Sequence, residues 1–162
     1  MEEFIAAASA FRHACENAVE LGREGLLDDL SRTLPRLQAA AMELPDVEVN
    51  GDHPVFSLED REGESSPCGV LDLIRQTDWA HVQSSLHEHI GDCKSLAATP
   101  DFIWDDLDDI YRDIKEGFDI LDAGFSEAEA VWHWRFHFWS HWGYHIAEVQ
   151  RVIHYYAALY FH

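Results

Sequence analysis

Apolar residues recur along most of the chain at the three- and four-residue spacing that is typical of amphipathic α-helices. The clearest pattern runs through residues 131–162 and predicts one long C-terminal helix. Its apolar positions fall on one stripe, as expected for a helix that packs on a core: Val131, Phe138, Trp142, Ile146, Val149, Ile153, Tyr156 and Tyr160. The opposite face is predicted to be exposed to solvent and carries His133, Ser140, Tyr144 and Arg151.

The rest of the chain shows the same periodicity in shorter segments. These segments predict helices over residues 2–21, 26–44, 70–76, 78–90 and 101–122. Gly22 is expected to end the first helix, and Pro35 to kink or split the second near Thr33. We therefore expect an all-α fold, a single-domain bundle of five to six helices over residues 1–162. Because short links favour antiparallel neighbours, the last two helices should form an antiparallel pair against the first two.

One segment breaks the helical pattern, the proline-, glycine- and acid-rich stretch over residues 45–67. We expect it to form a long acidic surface loop. It contributes to a formal net charge of −20 over 162 residues. A surface this acidic argues against direct binding of nucleic acid or of anionic membranes, both of which attract Lys and Arg. It favours basic partners and cations.

Cysteine spacing and the length of apolar runs indicate a cytoplasmic protein that does not span a membrane. The three cysteines form no CxxC pair, which suits a reduced compartment better than a disulfide framework. No apolar run approaches the roughly 20 residues that cross a bilayer. The chain starts MEEFIAAASAF, without the basic region of a signal peptide. Nucleophile-elbow, P-loop and dinucleotide-binding motifs are also missing, so no catalytic motif indicates an enzyme.

Arg135 is the first candidate binding residue, because it lies inside the apolar stripe of the last helix. A buried arginine needs a carboxylate or carbonyl partner. We expect Arg135 to be largely buried and paired with Asp113 of the preceding helix, with Asp106 or Asp109 as alternatives. The pair is interpreted as a structural ion pair, or alternatively as an anchor for an anion or substrate. Two aromatic residues, Tyr111 and Trp142, are included in this candidate binding site.

A histidine ladder on the last helix is the second candidate. Its members follow one another at four-residue spacing, with a glutamate three residues further on: His137, His141, His145 and Glu148. Two imidazoles one turn apart can share a divalent metal ion, and Asp105, Asp109 or Asp113 could complete the site. HExxH and the ExxH of di-metal bundles are absent. The alternative, which we favour here, is that the histidines hydrogen-bond to these aspartates without a metal.

Two motifs in the C-terminal half resemble a known family. Residues 109–115 read DIYRDIK, and residues 132–145 read WHWRFHFWSHWGYH. With the earlier stretch LPRLQAAAMELPDVE, the chain resembles the bacterial domain-of-unknown-function family five-zero-six-three. Gln38 and His133 depart from the tyrosine and glutamate that are usual there. The resemblance implies an all-helical fold and implies no activity.

Two functional hypotheses follow from the residues. The first is a small acidic cytoplasmic interaction protein that is not an enzyme and binds a basic partner protein, as immunity proteins and nucleic-acid mimics do. The second is a metal-binding or metal-dependent hydrolytic protein, with a divalent ion held by the histidine ladder and aspartates of the preceding helix. The net charge and the missing catalytic motifs favour the first hypothesis.

Overall fold

The computed structural model describes the backbone of residues 1–49 and 100–160 and the side chains of residues 1–49 and 105–154. Every regular element in these ranges is helical, which confirms the all-α prediction. The helices are α1 (Glu2–Glu16), α2 (Ala18–Met42), α3 (Pro100–Asp122), α4 (Glu127–His137) and α5 (Gly143–Tyr160). A π-helical turn, Phe138–Trp142, joins α4 to α5, so that these three form one continuous C-terminal rod.

The described residues therefore hold four helical rods, fewer than the five to six helices predicted for the whole chain. The helices predicted over residues 70–76 and 78–90 lie outside the described residues, as does most of the acidic segment 45–67. Residues 44–49, at the start of that segment, have no regular secondary structure. Within the described ranges, no helix combines the length and apolar character that crossing a membrane requires.

Neighbouring rods of the bundle run antiparallel. α1 packs on α2 and α3, while the C-terminal rod packs on α2 and α3. Two cross-bundle contacts fix the direction of α2 against the rod. Gln38 in α2 meets Gln150 in α5, and Leu44, just beyond α2, meets Arg135 in α4. The last two rods thus form an antiparallel pair against the first two, as the short links predict.

Trp134 forms the centre of the core where α1, α3 and α4 meet. Its indole is fully buried, and the ring packs on Phe4 and Phe118 with centroid distances of 4.9 and 5.1 Å. The indole Nε1 donates a hydrogen bond of 3.0 Å to the carbonyl oxygen of Ile114. A Cβ at Gly117 would collide with the indole, so a glycine is needed on α3 at this position. The contact fixes how closely α3 and α4 approach.

The break between α1 and α2 differs from the predicted one. α1 ends at Glu16 rather than near Gly22, and Gly22 is a kink inside α2 with φ 67°. Of the kink or split expected near Thr33, the split does not occur, because the backbone stays helical through Pro35. Pro35 lies on the exposed side of α2. Proline there removes one backbone hydrogen bond at a position where water can replace it.

Candidate metal centre

The link between α3 and α4 brings the histidines of the C-terminal rod against the aspartates of α3. Gly124, with φ 85°, turns the chain after α3. Ser126 then begins α4 with a capping box, in which its side chain accepts from the backbone N–H of Glu129 and the Glu129 carboxylate accepts from the Ser126 backbone N–H. The tight turn makes α3 and the rod antiparallel neighbours, so the acidic edge of α3 faces the histidine ladder.

Two of the histidines form hydrogen bonds through Nδ1 to two buried aspartates. His141 Nδ1 lies 2.6 Å from Asp113 Oδ2, and His145 Nδ1 lies 2.5 Å from Asp106 Oδ1. The side chains of both aspartates are almost fully buried. Because an ionised carboxylate can only accept, each Nδ1 carries the hydrogen and donates. Where such a ring carries no second hydrogen, its Nε2 atom has a lone pair that can bind a metal ion.

Both Nε2 atoms converge on Asp109. Its Oδ2 lies 3.9 Å from His141 Nε2 and 3.5 Å from His145 Nε2. These distances are too long for good hydrogen bonds. They are close to the separation of about 3.3 Å between two ligand atoms bound at 2.0–2.1 Å to a tetrahedral ion. All three donor atoms lie within 4.8 Å of one another. The bonds of His141 to Asp113 and of His145 to Asp106 agree with the hydrogen bonds expected from the sequence. The Nε2 side of both rings adds a group of three donors that could hold an ion.

The carboxylates of Asp106 and Asp109 carry negative charge that neighbouring groups compensate only in part. Burial raises the pKa of Asp106, although its bond to His145 and the attraction of that ring oppose the rise. Burial likewise raises the pKa of Asp109 against the attraction of His141 and His145. The second oxygen of Asp106, Oδ2, is buried and accepts no hydrogen bond from the residues that the structure describes. A cation would supply the compensation that these carboxylates lack.

The centre opens to solvent on one side. The exposed fraction of the side chain is 42% for His141, 25% for Asp109 and 20% for His145. Three protein donors with one accessible side are typical of catalytic metal sites, whereas structural sites are closed by four protein ligands. The geometry therefore suits an ion that keeps a position for water or a small ligand.

His133 lies at this interface too, so its predicted place on the solvent face is wrong. The side chain is buried, and its Nε2 lies 3.3 Å from the backbone oxygen of Asp113. Its ring also packs on His137, with a centroid distance of 4.3 Å. Glu116 of α3 completes a further group of possible ligands with Asp113 and His133. The four-residue spacing of His133 from His137 was a signal that could have identified it.

Arg135 is not paired with Asp113, Asp106 or Asp109 of α3, which overturns the predicted ion pair. Its Nε donates a 3.2 Å hydrogen bond to the carbonyl oxygen of Leu44, and one terminal nitrogen lies 3.6 Å from Asp46. About a third of the side chain is exposed. The side of α4 that faces α3 is occupied by His133 and His137, so Arg135 points towards the end of α2 instead.

The remaining predicted site residues also lie outside the centre. Tyr111 donates a hydrogen bond of 3.0 Å to Glu16 of α1. Trp142 is fully buried in the core. Glu148 forms an ion pair with Arg151 on its own helix. Asp105 is exposed beside the centre. The histidine ladder and Asp106, Asp109 and Asp113 are thus the parts of the predicted site that come together.

Comparison with known proteins supports the fold and leaves the chemistry open. The structure is similar to the crystal structure of protein BF1032 from Bacteroides fragilis, with a TM-score of 0.64 and 24% sequence identity. The match covers 94% of this chain and 88% of that one. No curated protein matches the chain. A family profile, described as "Domain of unknown function (DUF5063)", matches residues 1–159, nearly the whole chain. The chain therefore belongs to the DUF5063 family.

Proposed function

We propose that this protein binds a divalent transition-metal ion through Asp109, His141 and His145. The observation that carries the proposal is that the two nitrogens of each imidazole have different partners. Their Nδ1 atoms are held by buried carboxylates at 2.6 and 2.5 Å, while their Nε2 atoms point at one carboxylate oxygen from 3.9 and 3.5 Å. Metal-binding histidines in proteins are usually held by a carboxylate or carbonyl in this way.

The donor set indicates the class of ion. Two imidazole nitrogens and one carboxylate oxygen suit Zn²⁺, Fe²⁺ or Mn²⁺, whereas Mg²⁺ and Ca²⁺ prefer oxygen ligands alone. Three protein ligands leave at least one position for water, whose pKa falls towards 7 when it binds to such an ion. Metal-dependent hydrolysis is the reaction class that this arrangement supports best. The residues that bind and orient are Asp109, His141 and His145, with Asp106 and Asp113 behind them.

The placement of the acidic residues favours metal binding over binding of a basic protein. Asp106 and Asp113 are buried and bonded to histidines, and buried Asp108 pairs with Arg112. These aspartates belong to α3, whose residues 101–122 are rich in acidic side chains and contribute to the net charge of −20. Since they point inwards, this helix offers less open negative surface than its composition suggests.

Elemental analysis of untagged protein tests the proposal. Wild-type protein dialysed against Zn²⁺, Fe²⁺ or Mn²⁺ should retain at least one ion per chain. Asp109→Ala should weaken that binding at least about tenfold, since it removes a direct ligand. Asp105→Ala is the matched control, because Asp105 is exposed on the same helix and its replacement should leave binding nearly unchanged. Sub-stoichiometric metal in the wild type, or equal loss in both variants, would reject the proposal.

A cytoplasmic interaction protein remains a second proposal, because large aromatic side chains are exposed on the C-terminal rod. Trp139 and Tyr144 are each 62% exposed, and Phe136 is 50% exposed. Exposed aromatic residues are enriched where proteins bind one another, and the net charge of −20 favours a basic partner. A pull-down from the native host should capture basic proteins that high salt releases. Captured proteins that are acidic or insensitive to salt would contradict this second proposal.

A further inference from the structure

The spacing of acidic residues and histidines at the candidate centre occurs twice along the same interface. On α3, Asp106 and Asp109 are spaced three apart, and a second acidic pair with the same spacing follows seven residues later, Asp113 and Glu116. On the C-terminal rod, His141 and His145 are spaced four apart, and a second histidine pair lies eight residues earlier, His133 and His137. The two groups are joined, because Asp113 of the second acidic pair also bonds to His141 of the first histidine pair.

The π-helical turn explains why the repeat is seven residues on α3 and eight on the rod. A π-turn accommodates one more residue than the α-helix that it interrupts. The turn Phe138–Trp142 lies between the two histidine pairs, and the N–H of Gly143 donates to the carbonyl oxygen of Phe138, five residues back. The extra residue is absorbed there, so both histidine pairs face α3.

The first acidic residue of each group lies near the second histidine, at hydrogen-bond distance in the first group and further away in the second. In the first group, Asp106 Oδ1 lies 2.5 Å from Nδ1 of the second histidine, His145. In the second group, Asp113 Oδ1 lies 3.5 Å from Nδ1 of the equivalent histidine, His137. The donors of Asp113, Glu116 and His133 lie within 4.8 Å of one another. The separation of 3.5 Å between Asp113 and His137 is longer than a good hydrogen bond and places His137 at the edge of this group.

We infer that Asp113, Glu116 and His133 form a second divalent-metal position, with His137 at its edge. This inference rests on the proposed function and extends it from one ion to two. The two positions lie about 10 Å apart, since seven residues of α-helix rise about 1.5 Å each. With two carboxylates and one imidazole, the second position suits Mn²⁺ or Fe²⁺ better than the first does. Asp113 and His133 are buried, so this position is the more enclosed one.

Asp113 links the two positions. Its Oδ2 accepts from His141, a ligand of the first ion, at 2.6 Å, while its Oδ1 faces the second position. An ion at the second position would withdraw electron density from this carboxylate and weaken its hold on His141. Occupancy of the second position should therefore lower the affinity of the first for the same ion.

Calorimetric titration of untagged wild-type protein with Mn²⁺ tests the inference by counting ions. Two ions per chain support it, one ion overturns it while leaving the proposed function intact, and none overturns both. Glu116→Gln and Asp109→Asn should each reduce the count from two to one, and the variant with both substitutions should bind none. His154→Gln, an exposed histidine on α5, is the control and should still bind two.

Glu116→Gln is expected to fold like the wild type. Glu116 is only half-buried, whereas His133 is buried, so replacing the glutamate disturbs the core less. His133→Gln is the confirming variant and should also bind one ion, with its circular dichroism checked against the wild type. A Glu116→Gln protein that still binds two ions would overturn the second position.

Discussion

At the scale of single residues, the two nitrogens of His145 have separate tasks. Its Nδ1 donates to buried Asp106, and its Nε2 faces Asp109. The carboxylate of Asp106 orients the ring and raises its basicity as a ligand. Asp106→Asn should therefore weaken metal binding about 10- to 100-fold while leaving the direct ligands in place. Competition with a coloured chelator measures the change in affinity.

The neighbouring Asp105 provides the control for that variant. Asp105→Asn removes the same charge one residue away, on the exposed side of α3. If a general loss of negative charge were responsible, both variants would lose affinity equally. Equal loss would contradict the orienting role assigned to Asp106, whereas a loss confined to Asp106→Asn agrees with it.

Arg135 should contribute little to stability, despite its place in the apolar stripe. Its partners are the carbonyl oxygen of Leu44 and the exposed carboxylate of Asp46 at 3.6 Å. Such partly exposed contacts contribute about 1–2 kcal/mol. Arg135→Ala should lower the free energy of unfolding by about that amount, as measured by urea denaturation. A loss of about 3–5 kcal/mol, typical of breaking a buried ion pair, would contradict the observed surroundings of Arg135.

At the scale of elements, the π-turn of the C-terminal rod depends on Gly143. A Cβ at this position would collide with the carbonyl oxygen of Phe138, which accepts the π-type hydrogen bond. Gly143→Ala should therefore distort the turn, lower the thermal midpoint and weaken metal binding. Gly25→Ala is the control, because its Cβ would meet only Leu21, at 3.3 Å. Differential scanning calorimetry and metal titration of both variants provide the comparison. A Gly143→Ala variant that matches wild type in both would contradict this role.

The course of α4 shows what apolar periodicity can and cannot predict. The stripe through Val131, Phe138 and Trp142 is buried, as the sequence indicates. The buried face of α4 is nevertheless centred on Trp134 and extends to His133, with Arg135 outside it. Apolar periodicity does not detect a polar residue such as His133 that is buried against carboxylates. The pattern alone therefore assigns Arg135 to the buried face and His133 to the exposed one. The π-turn also leaves no mark in the spacing of apolar residues.

The centre was only partly predictable for the same reason. Four-residue spacing identifies the histidines that share a face, and the Asp-rich helix next to them indicates their partners. The sequence does not say which aspartate faces two Nε2 atoms and which holds an Nδ1. That choice depends on the register between α3 and the rod, which is fixed by packing around Trp134 and Gly117.

At the scale of the whole molecule, the reactivity of Cys15 measures whether α1 stays packed in the bundle. The thiol is buried in the core, and burial raises its pKa far above the ordinary value. Since the thiolate is the reactive form, native Cys15 should resist alkylation at neutral pH. Iodoacetamide labelling followed by mass spectrometry should detect modified Cys15 only after denaturant is added. Rapid labelling of the native protein would contradict the packing of α1 in the bundle.

The bundle architecture was the most predictable feature, because long amphipathic stripes and short links leave few alternatives. All of the described helices appear where the periodicity indicates them, with the largest boundary error between α1 and α2. Gly22 was predicted to end the first helix, but it adopts a positive φ at a kink within α2. A glycine can end a helix or bend one, and only the packing of α1 on α2 decides between them.

The central claim is that α3 and the C-terminal rod hold a metal ion between them. Anomalous X-ray diffraction from crystals grown with Zn²⁺ tests it most directly. The expected result is a peak about 2.0–2.2 Å from His141 Nε2, His145 Nε2 and a carboxylate oxygen of Asp109. No peak at this place, or zinc bound only to other residues, would contradict the claim.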